Sequence, residues 1–255
     1  MPTDLIATYL NLPQFALIVS RIAGVVVAMP LFGGLAVPAN VRILLIIALA
    51  ALIAPIITPL TAPPETLGGL VTGMIGEALL GALVGVVLSM IFVGLQIGAM
   101  LIAQESGLAY GQVVDPTTSE EETVLGTFFV QLATVIFLIV GGHRALIGAT
   151  LDTFERIPLL RAESALTGNV DVLLDALAAS MDVTVRVATP TVLALFLSNV
   201  ALGFLSRTLP QLNVLNVGFA LKGVVAFAVM TVSLPTAMEA FVSGLERIVD
   251  WLQFL

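Results

Sequence analysis

Five ionisable residues lie inside long apolar stretches of the sequence, where a charge is costly unless it is paired or faces water. They are Arg21, Glu77, Arg186, Lys222 and Glu239. Groups in such places either pair inside a helix bundle or line a path for something polar. A secondary transporter that uses Glu77, Arg186 and Lys222 is therefore one hypothesis, although the two halves of the chain lack the sequence repeat that such transporters often have.

The residue types that most enzymes require are scarce in this sequence. It contains no Cys, one His, no phosphate-binding Gly-Lys pattern and no Gly-x-Ser-x-Gly elbow. We therefore predict that the protein is not an enzyme and that it binds neither a cofactor nor a metal ion. The lone His143 follows two glycines, and it is either a structural hydrogen-bonding group, which is the more common role, or a proton relay.

The composition indicates an integral membrane protein. Hydrophobic residues make up 59% of the 255 residues, charged residues only 10%, and the mean hydropathy is +1.13. Soluble domains usually contain about a quarter charged residues. The net charge is −8, and the nine Lys and Arg residues are scattered along the chain. They form no basic stripe, which argues against nucleic-acid binding.

Six apolar runs follow one another along the sequence, and each is long enough to suggest a membrane-spanning helix. They cover roughly residues 13–35, 41–60, 67–103, 124–149, 183–205 and 214–242. Before the fifth run, residues 170–182 place apolar side chains at helical spacing and three Asp residues on another face, which predicts an amphipathic helix. The predicted class is thus all-α, a polytopic membrane protein with about six long, partly kinked hydrophobic helices and one amphipathic helix.

These runs predict a single membrane domain over residues 1–255. Residues 1–150 would hold the first four hydrophobic helices, residues 151–182 an amphipathic connection, and residues 183–255 a last helical hairpin. An even number of spans places both termini on one side of the membrane. The distribution of Arg residues near the loops favours the inner side for both termini.

The third run is much longer than the roughly 20 residues that a spanning helix needs, so a long, tilted or broken helix is expected. It contains Gly81 and Gly85, followed by Gly94 and Gly98, in two small-xxx-small patterns. Small residues at this spacing let another helix approach closely. The patterns therefore predict helix packing without identifying the helices that meet.

A polar segment over residues 104–122 separates the third and fourth runs. Gly107 and Gly111 allow unusual backbone angles, and Asp115-Pro116 favours a turn. An ordinary acidic loop is one interpretation. Against it stand apolar side chains that a solvated loop does not need, namely Leu108, Tyr110, Val113 and Val114.

A second polar segment joins the last two runs. Pro210 cannot continue a helix and favours an extended conformation in the residue before it, so the chain is expected to reverse there. Arg207, Gln211 and Asn213 would then lie at the turn. The alternative interpretation is a water-exposed hairpin tip with interfacial charges.

Several separated stretches resemble, in their order and spacing, the FliR family of flagellar biosynthetic proteins, which has SctT relatives in the injectisomes of virulence secretion. The matching stretches are residues 21–24, 29–33, 37–42, 104–110, 115–116, 142–143, 199–213 and 218–222. They extend over nearly the whole chain, and residues 207–213 are the most specific. The resemblance does not decide between a flagellum and an injectisome, although the combined motifs favour a flagellum.

The resemblance implies a core subunit of the type III protein export gate, at the base of the flagellum in the bacterial inner membrane. The implied partners are FliP-like and FliQ-like membrane subunits, a FlhB-like subunit and membrane lipid, and the cargo is unfolded flagellar protein. In this family the segment between the third and fourth helices is a plug that seals the channel. The plug residues implied here are Gly107, Leu108, Tyr110, Gly111, Val113, Val114, Asp115 and Pro116.

The resemblance also implies that polar and small residues of the apolar helices contact sister subunits rather than lipid. These residues are Arg21, Arg186, Asn199, Arg207, Pro210, Gln211, Asn213, Gly218 and Lys222. One departure from the family pattern is the acidic run Glu120, Glu121 and Glu122, which either tunes the plug or caps the next helix.

Overall fold

The computed structural model describes residues 11–29, 37–60, 64, 66–108, 124–161, 170–208 and 214–252. All regular secondary structure in these residues is helical, which confirms the predicted all-α class. The helices are α1 (Leu12–Ala28), α2 (Ala39–Ile53), α3 (Leu67–Ser106), α4 (Val124–Val140), α5 (Gly142–Arg156), α6 (Val170–Thr208) and α7 (Val214–Leu252).

Two of the predicted helices have different boundaries in the structure. The fourth run, predicted as continuous over residues 124–149, is divided into α4 and α5, which are bent by 70° relative to each other. Gly141 lies at the bend with a φ of 85°, a left-handed conformation that glycine adopts without steric cost. The amphipathic helix predicted at residues 170–182 is continuous with the fifth run in α6, because no Gly or Pro interrupts residues 170–189.

Three helical stretches are long and apolar enough to cross a membrane, namely Leu67–Ser106, Asp171–Thr208 and Val217–Leu252. The bent pair of α4 and α5 adds a fourth candidate if the two helices form one span. The apolar helices α1 and α2 have only 17 and 15 residues, fewer than the roughly 20 of a usual span. The described helices thus provide three or four candidate spans, and the total of six stays a prediction.

The chain divides into two compact units. Unit 1 consists of Met1–Met90, Gly141–Leu177 and Glu246–Leu255, and unit 2 consists of Ile91–Val140 and Ala178–Leu245. The long helix α3 contributes its first part to unit 1 and its last part to unit 2. The arrangement as one membrane domain stays a prediction.

Each unit has an apolar core within the described residues. In unit 1, α1 packs against α2 and α5, and Ile22, Ile46 and Phe154 are among the buried side chains of this core. In unit 2, the ring of Phe92 meets those of Phe137 and Phe241 edge-on, with centroids 5.7 and 5.1 Å apart. Edge-to-face pairs of this kind contribute about 0.5–1.5 kcal/mol each beyond their burial. The three rings therefore hold α4 and α7 against the last part of α3.

Candidate functional site

Arg21 of α1 is one of two charged residues that are fully enclosed within the described helices. Its side chain and that of Glu77 in α3 are both 0% exposed. Arg21 Nε donates to Glu77 Oε2 at 2.6 Å, while Nη1 and Nη2 donate to the carbonyl oxygens of Thr153 at 2.9 Å and Ile157 at 3.0 Å. The Phe154 ring covers the guanidinium, with Cζ 4.2 Å from the ring centroid. The buried cation thus exchanges its water shell for an ion pair, two carbonyls and an aromatic face.

Glu77 uses its second oxygen on the segment that follows α5. The Leu160 N–H donates to Glu77 Oε1 at 2.8 Å, and Leu160 has a φ of 71°, which is uncommon for a residue with a side chain. Ile157 lies just beyond the end of α5, where carbonyls run short of donors from their own helix. The Thr153 carbonyl oxygen, in the last turn, also accepts the Ile157 N–H at 3.0 Å. The ion pair therefore joins α1 and α3 to the end of α5 and satisfies backbone groups there.

Small residues bring the backbones of α1 and α3 close enough for this ion pair to form. A Cβ atom added to Gly81 would overlap the carbonyl oxygen of Arg21, and one added to Gly24 would overlap that of Ala78. Gly85, one turn further along α3, also faces α1. The first small-xxx-small pattern is thus a contact between α3 and α1, and the predicted helix packing is confirmed.

The second small-xxx-small pattern lies within unit 2 and faces α6. A Cβ atom added to Gly94 would overlap the backbone of Ser180, and one added to Gly98 would lie 3.0 Å from the Cβ of Val187. The Thr184 hydroxyl donates to the Gly94 carbonyl oxygen at 2.9 Å. The two glycine pairs of α3 therefore contact two different helices, the first pair α1 and the second pair α6.

Arg186 lies near the middle of α6, on an exposed face of that helix. Its Nε donates to Asp182 Oδ1 at 2.9 Å, and the two side chains are 56% and 33% exposed. Within the residues that the structure describes, the two Nη groups of Arg186 have no acceptor. Hydrocarbon offers no acceptor either, so a cation in this place requires a polar neighbour or water. Large apolar side chains exposed on the same helix include Val185, Leu193, Phe196, Leu197 and Phe204.

Pro210 lies in the connection between α6 and α7, as expected because proline cannot continue a helix. Arg207 is exposed in the last turn of α6, where a cation is favoured by the helix dipole. Leu202 Cδ1 would lie 3.4 Å from a Cβ added to the buried Gly218. Within unit 2, Leu202 of α6 and Gly218 of α7 therefore lie close together. The predicted turn at Pro210 falls outside the described residues and stays a prediction.

The other residues predicted for subunit packing divide into two groups. Asn199 of α6 and Lys222 of α7 are part-buried. The remaining members of the group, Pro210, Gln211 and Asn213, lie outside the described residues. Their predicted contact with sister subunits stays a prediction.

The described residues include only the start of the predicted plug. Gly107 follows the end of α3 with a φ of 85°, and its N–H donates to the Gln104 carbonyl oxygen at 3.3 Å, a usual helix ending at glycine. Leu108 comes next and is 57% exposed. The other predicted plug residues lie outside the described residues, as does the acidic run: Tyr110, Gly111, Val113, Val114, Asp115, Pro116, Glu120, Glu121 and Glu122.

Arg21 and Glu77 have surroundings different from those predicted. Arg21 was expected to face a sister subunit and Glu77 to serve the transporter hypothesis, but both are enclosed by groups of their own chain. They are 56 residues apart in sequence, so no local pattern pairs them. Their other partners are backbone groups, which carry no residue-type signal. The Glu77 carboxylate is therefore not accessible to a transported solute in this structure.

His143 lies at the start of α5, beside the bend at Gly141. Its Nδ1 atom is buried and has no hydrogen-bond partner within the described part of the chain. The structural hydrogen bond expected of this residue is therefore not made by Nδ1 there. No cluster of three or more His, Cys, Asp or Glu residues suited to a metal ion occurs among the described residues.

Comparison with known proteins shows a match over most of the chain. Residues 12–248 match the family described as Bacterial export proteins, family 1. The chain is 30% identical over 233 residues to the flagellar biosynthetic protein FliR of Bacillus subtilis, covering 86% of this chain and 85% of that protein. It is 28% identical over 215 residues to FliR of Aquifex aeolicus, covering 84% and 83%. It is 23% identical over 185 residues to the secretion system apparatus protein SsaT of Salmonella typhimurium, covering 72% and 70%.

Proposed function

The chain belongs to the FliR family of bacterial export proteins, and we propose that it is a core subunit that forms and seals the channel of the flagellar type III export gate. The observation that carries the proposal is the match of residues 12–248 to the export family. Membership of this family makes the protein a membrane-embedded component of a flagellar or type III secretion export apparatus. The proposed channel conducts unfolded flagellar proteins across the bacterial inner membrane.

The proposed partners are FliP-like, FliQ-like and FlhB-like membrane subunits. The exposed face of α6 supports a role in assembly, because Arg186 lies among apolar side chains on a candidate membrane span with both Nη groups lacking an acceptor among the described residues. An apolar face alone would suit lipid, whereas a face with a guanidinium suits the interior of a larger helix assembly. Arg186, Lys222 and Asn199 are proposed to lie against such neighbours, whereas Gly218, which was also predicted to contact a sister subunit, is buried against Leu202 of its own chain.

Mild-detergent purification tests the proposed assembly. The tagged full chain should be recovered together with small FliP-like and FliQ-like membrane proteins, because its exposed polar groups are expected to be covered by them. Arg207→Ala and Gln211→Ala should lower the recovery of these partners, since both residues are proposed to hold the last hairpin against a neighbour. The measurement is the ratio of partner to chain in the purified sample, by mass spectrometry.

Arg156→Ala is the matched control for Arg207→Ala. Arg156 also lies in the last turn of a helix and is exposed, so both substitutions lose the same helix-dipole contribution of about 0.3–1 kcal/mol. Only Arg207→Ala should reduce partner recovery. A chain that purifies as a monomer or homodimer and exchanges a solute in vesicles would instead establish the transporter.

The segment over residues 107–118 is proposed to seal the channel. Cells that express the complete gate with these residues deleted should leak ions and small solutes, because the apolar side chains of the segment would no longer exclude water. Uptake of a small impermeant dye measures the leak. The same deletion expressed without the partner subunits should cause no leak, since one subunit encloses no channel. An intact permeability barrier in the complete gate with the deletion would remove the plug assignment.

A further inference from the structure

An apolar groove opens in unit 1 between α1, α2 and α5. Its volume is about 210 Å³, and its walls include Val26 of α1, Leu49 of α2 and Ile147 of α5. It exceeds the roughly 150 Å³ of a cavity that holds a benzene molecule in a protein interior. The groove therefore has room for a hydrocarbon segment.

Water is a poor occupant of this groove. Two of its lining residues, His143 and Thr150, carry polar side chains. The Thr150 hydroxyl already donates to the Leu146 carbonyl oxygen at 2.8 Å. His143 Nδ1 has no hydrogen-bond partner among the described residues, but this atom is itself buried and is covered from the groove. A buried water molecule needs two to four polar partners, so the groove suits an apolar ligand.

A positively charged residue, Arg144, directly follows the groove-lining residue His143 in α5. Arg144 is exposed and makes no ion pair within the described residues. It precedes Ile147 by three residues on α5, so the two side chains are on neighbouring positions of one helix face.

The surroundings of the groove are also apolar. On α2, which forms one wall, Leu44, Ile47 and Leu52 are exposed. Exposed side chains of this size suit a hydrocarbon exterior rather than water. A whole helix, about 10–12 Å across with its side chains, is too wide for a groove of this volume, whereas a single acyl chain is narrow enough.

We propose that this groove binds one acyl chain of an anionic phospholipid, with the lipid phosphate held by Arg144. The hydrocarbon lies along Val26, Leu49 and Ile147. This lipid site is independent of the channel-forming role and does not require the plug or the sister subunits.

Photolabelling in lipid nanodiscs tests the site. The full chain is placed in phosphatidylcholine nanodiscs that contain a little phosphatidylglycerol with a diazirine on its acyl chain. We expect label on the α1 and α5 peptides that contain Val26 and Ile147. Ile147→Trp fills the groove and should reduce this label to the diffuse level found on the exposed face of α4. Ile139→Trp is the matched control, because Ile139 is 77% exposed on α4 and the groove label should persist.

The charge is tested with an exposed residue whose substitution leaves the packing intact. Labelling by phosphatidylglycerol is compared with labelling by a diacylglycerol that carries the same diazirine chain. Arg144→Gln should lower the preference for phosphatidylglycerol about tenfold, the effect of losing one charge-assisted hydrogen bond.

Four results would overturn the proposal. They are groove labelling no higher than that of the α4 surface, labelling unchanged by Ile147→Trp, and equal labelling by the two lipids in the unsubstituted chain. The fourth is an unlabelled groove in the complete complex extracted from cells, which would mean that a side chain of a sister subunit fills it.

Discussion

Replacing Glu77 by Ala is expected to lower the free energy of unfolding of the full chain by about 3–5 kcal/mol, because Arg21 would stay buried without its counter-ion. Arginine remains protonated in proteins, so the cation cannot avoid the cost by losing a proton. The carbonyls of Thr153 and Ile157 and the Phe154 ring remain as neighbours, but none of them carries a full negative charge. Leu160 also loses the acceptor for its N–H. Unfolding in mild detergent, followed by circular dichroism, measures the loss.

The exposed pair on α6 gives the control for this prediction. Asp182→Ala removes the counter-ion of Arg186, but exposed i,i+4 pairs contribute only about 0.3–0.5 kcal/mol. The two substitutions are chemically similar, and they differ in the burial of the cation that is left behind. Equal losses for Glu77→Ala and Asp182→Ala would show that the buried pair does not hold unit 1 together.

Removing both charges distinguishes the ion pair from the backbone contacts. The double substitution Arg21→Met and Glu77→Met leaves no buried charge, so it should be more stable than Glu77→Ala alone. It should not regain full stability, because the carbonyl of Ile157 and the N–H of Leu160 lose their partners, at about 1–3 kcal/mol for each buried group left unsatisfied. The fraction of the free energy of unfolding that the double substitution regains therefore separates the contribution of the ion pair from that of the backbone hydrogen bonds.

Much of the fold follows from residue spacing. The apolar runs predicted the positions of the helices. A helix that is apolar on several faces can be recognised from its own residues, without knowledge of the helices that it packs against. The bend at Gly141 was not predicted, since its cause is one left-handed backbone angle and glycine occurs 22 times in the chain. The continuation of α6 through residue 182 was missed because a change from amphipathic to wholly apolar composition resembles a boundary.

The partners of the buried charges were beyond local sequence reasoning. The sequence placed Arg21 in an apolar run and required a partner for it, but Glu77 is 56 residues away. Within the described residues, the three groups that form hydrogen bonds to this pair are all main-chain atoms, in Thr153, Ile157 and Leu160. Such groups occur at every position, so only the folded chain shows which of them are used. The pair of Asp182 and Arg186 is local by contrast, because its two members are four residues apart on one helix face.

The close approach of α1 and α3 connects the glycine pattern with the ion pair. Gly81 faces the carbonyl oxygen of Arg21 itself, so the residue that sets the helix separation also sets the distance from Arg21 to Glu77. A wider crossing would lengthen the short hydrogen bond between them. The small residues and the buried charges are therefore expected to depend on each other.

Replacing Gly81 by Ala should destabilise the full chain by about 1–3 kcal/mol, because the added methyl group overlaps the Arg21 backbone and forces α1 and α3 apart. This loss opposes the gain of about 0.8–1 kcal/mol that Ala has over Gly in a helix. Gly148 of α5 is the matched control, since a Cβ there meets nothing within 4 Å, and Gly148→Ala should stabilise the chain. The free energy of unfolding in detergent should decrease for Gly81→Ala and increase for Gly148→Ala. If both substitutions stabilised the chain, α3 would not require close contact with α1, and the ion pair would have to tolerate a wider separation of the two helices.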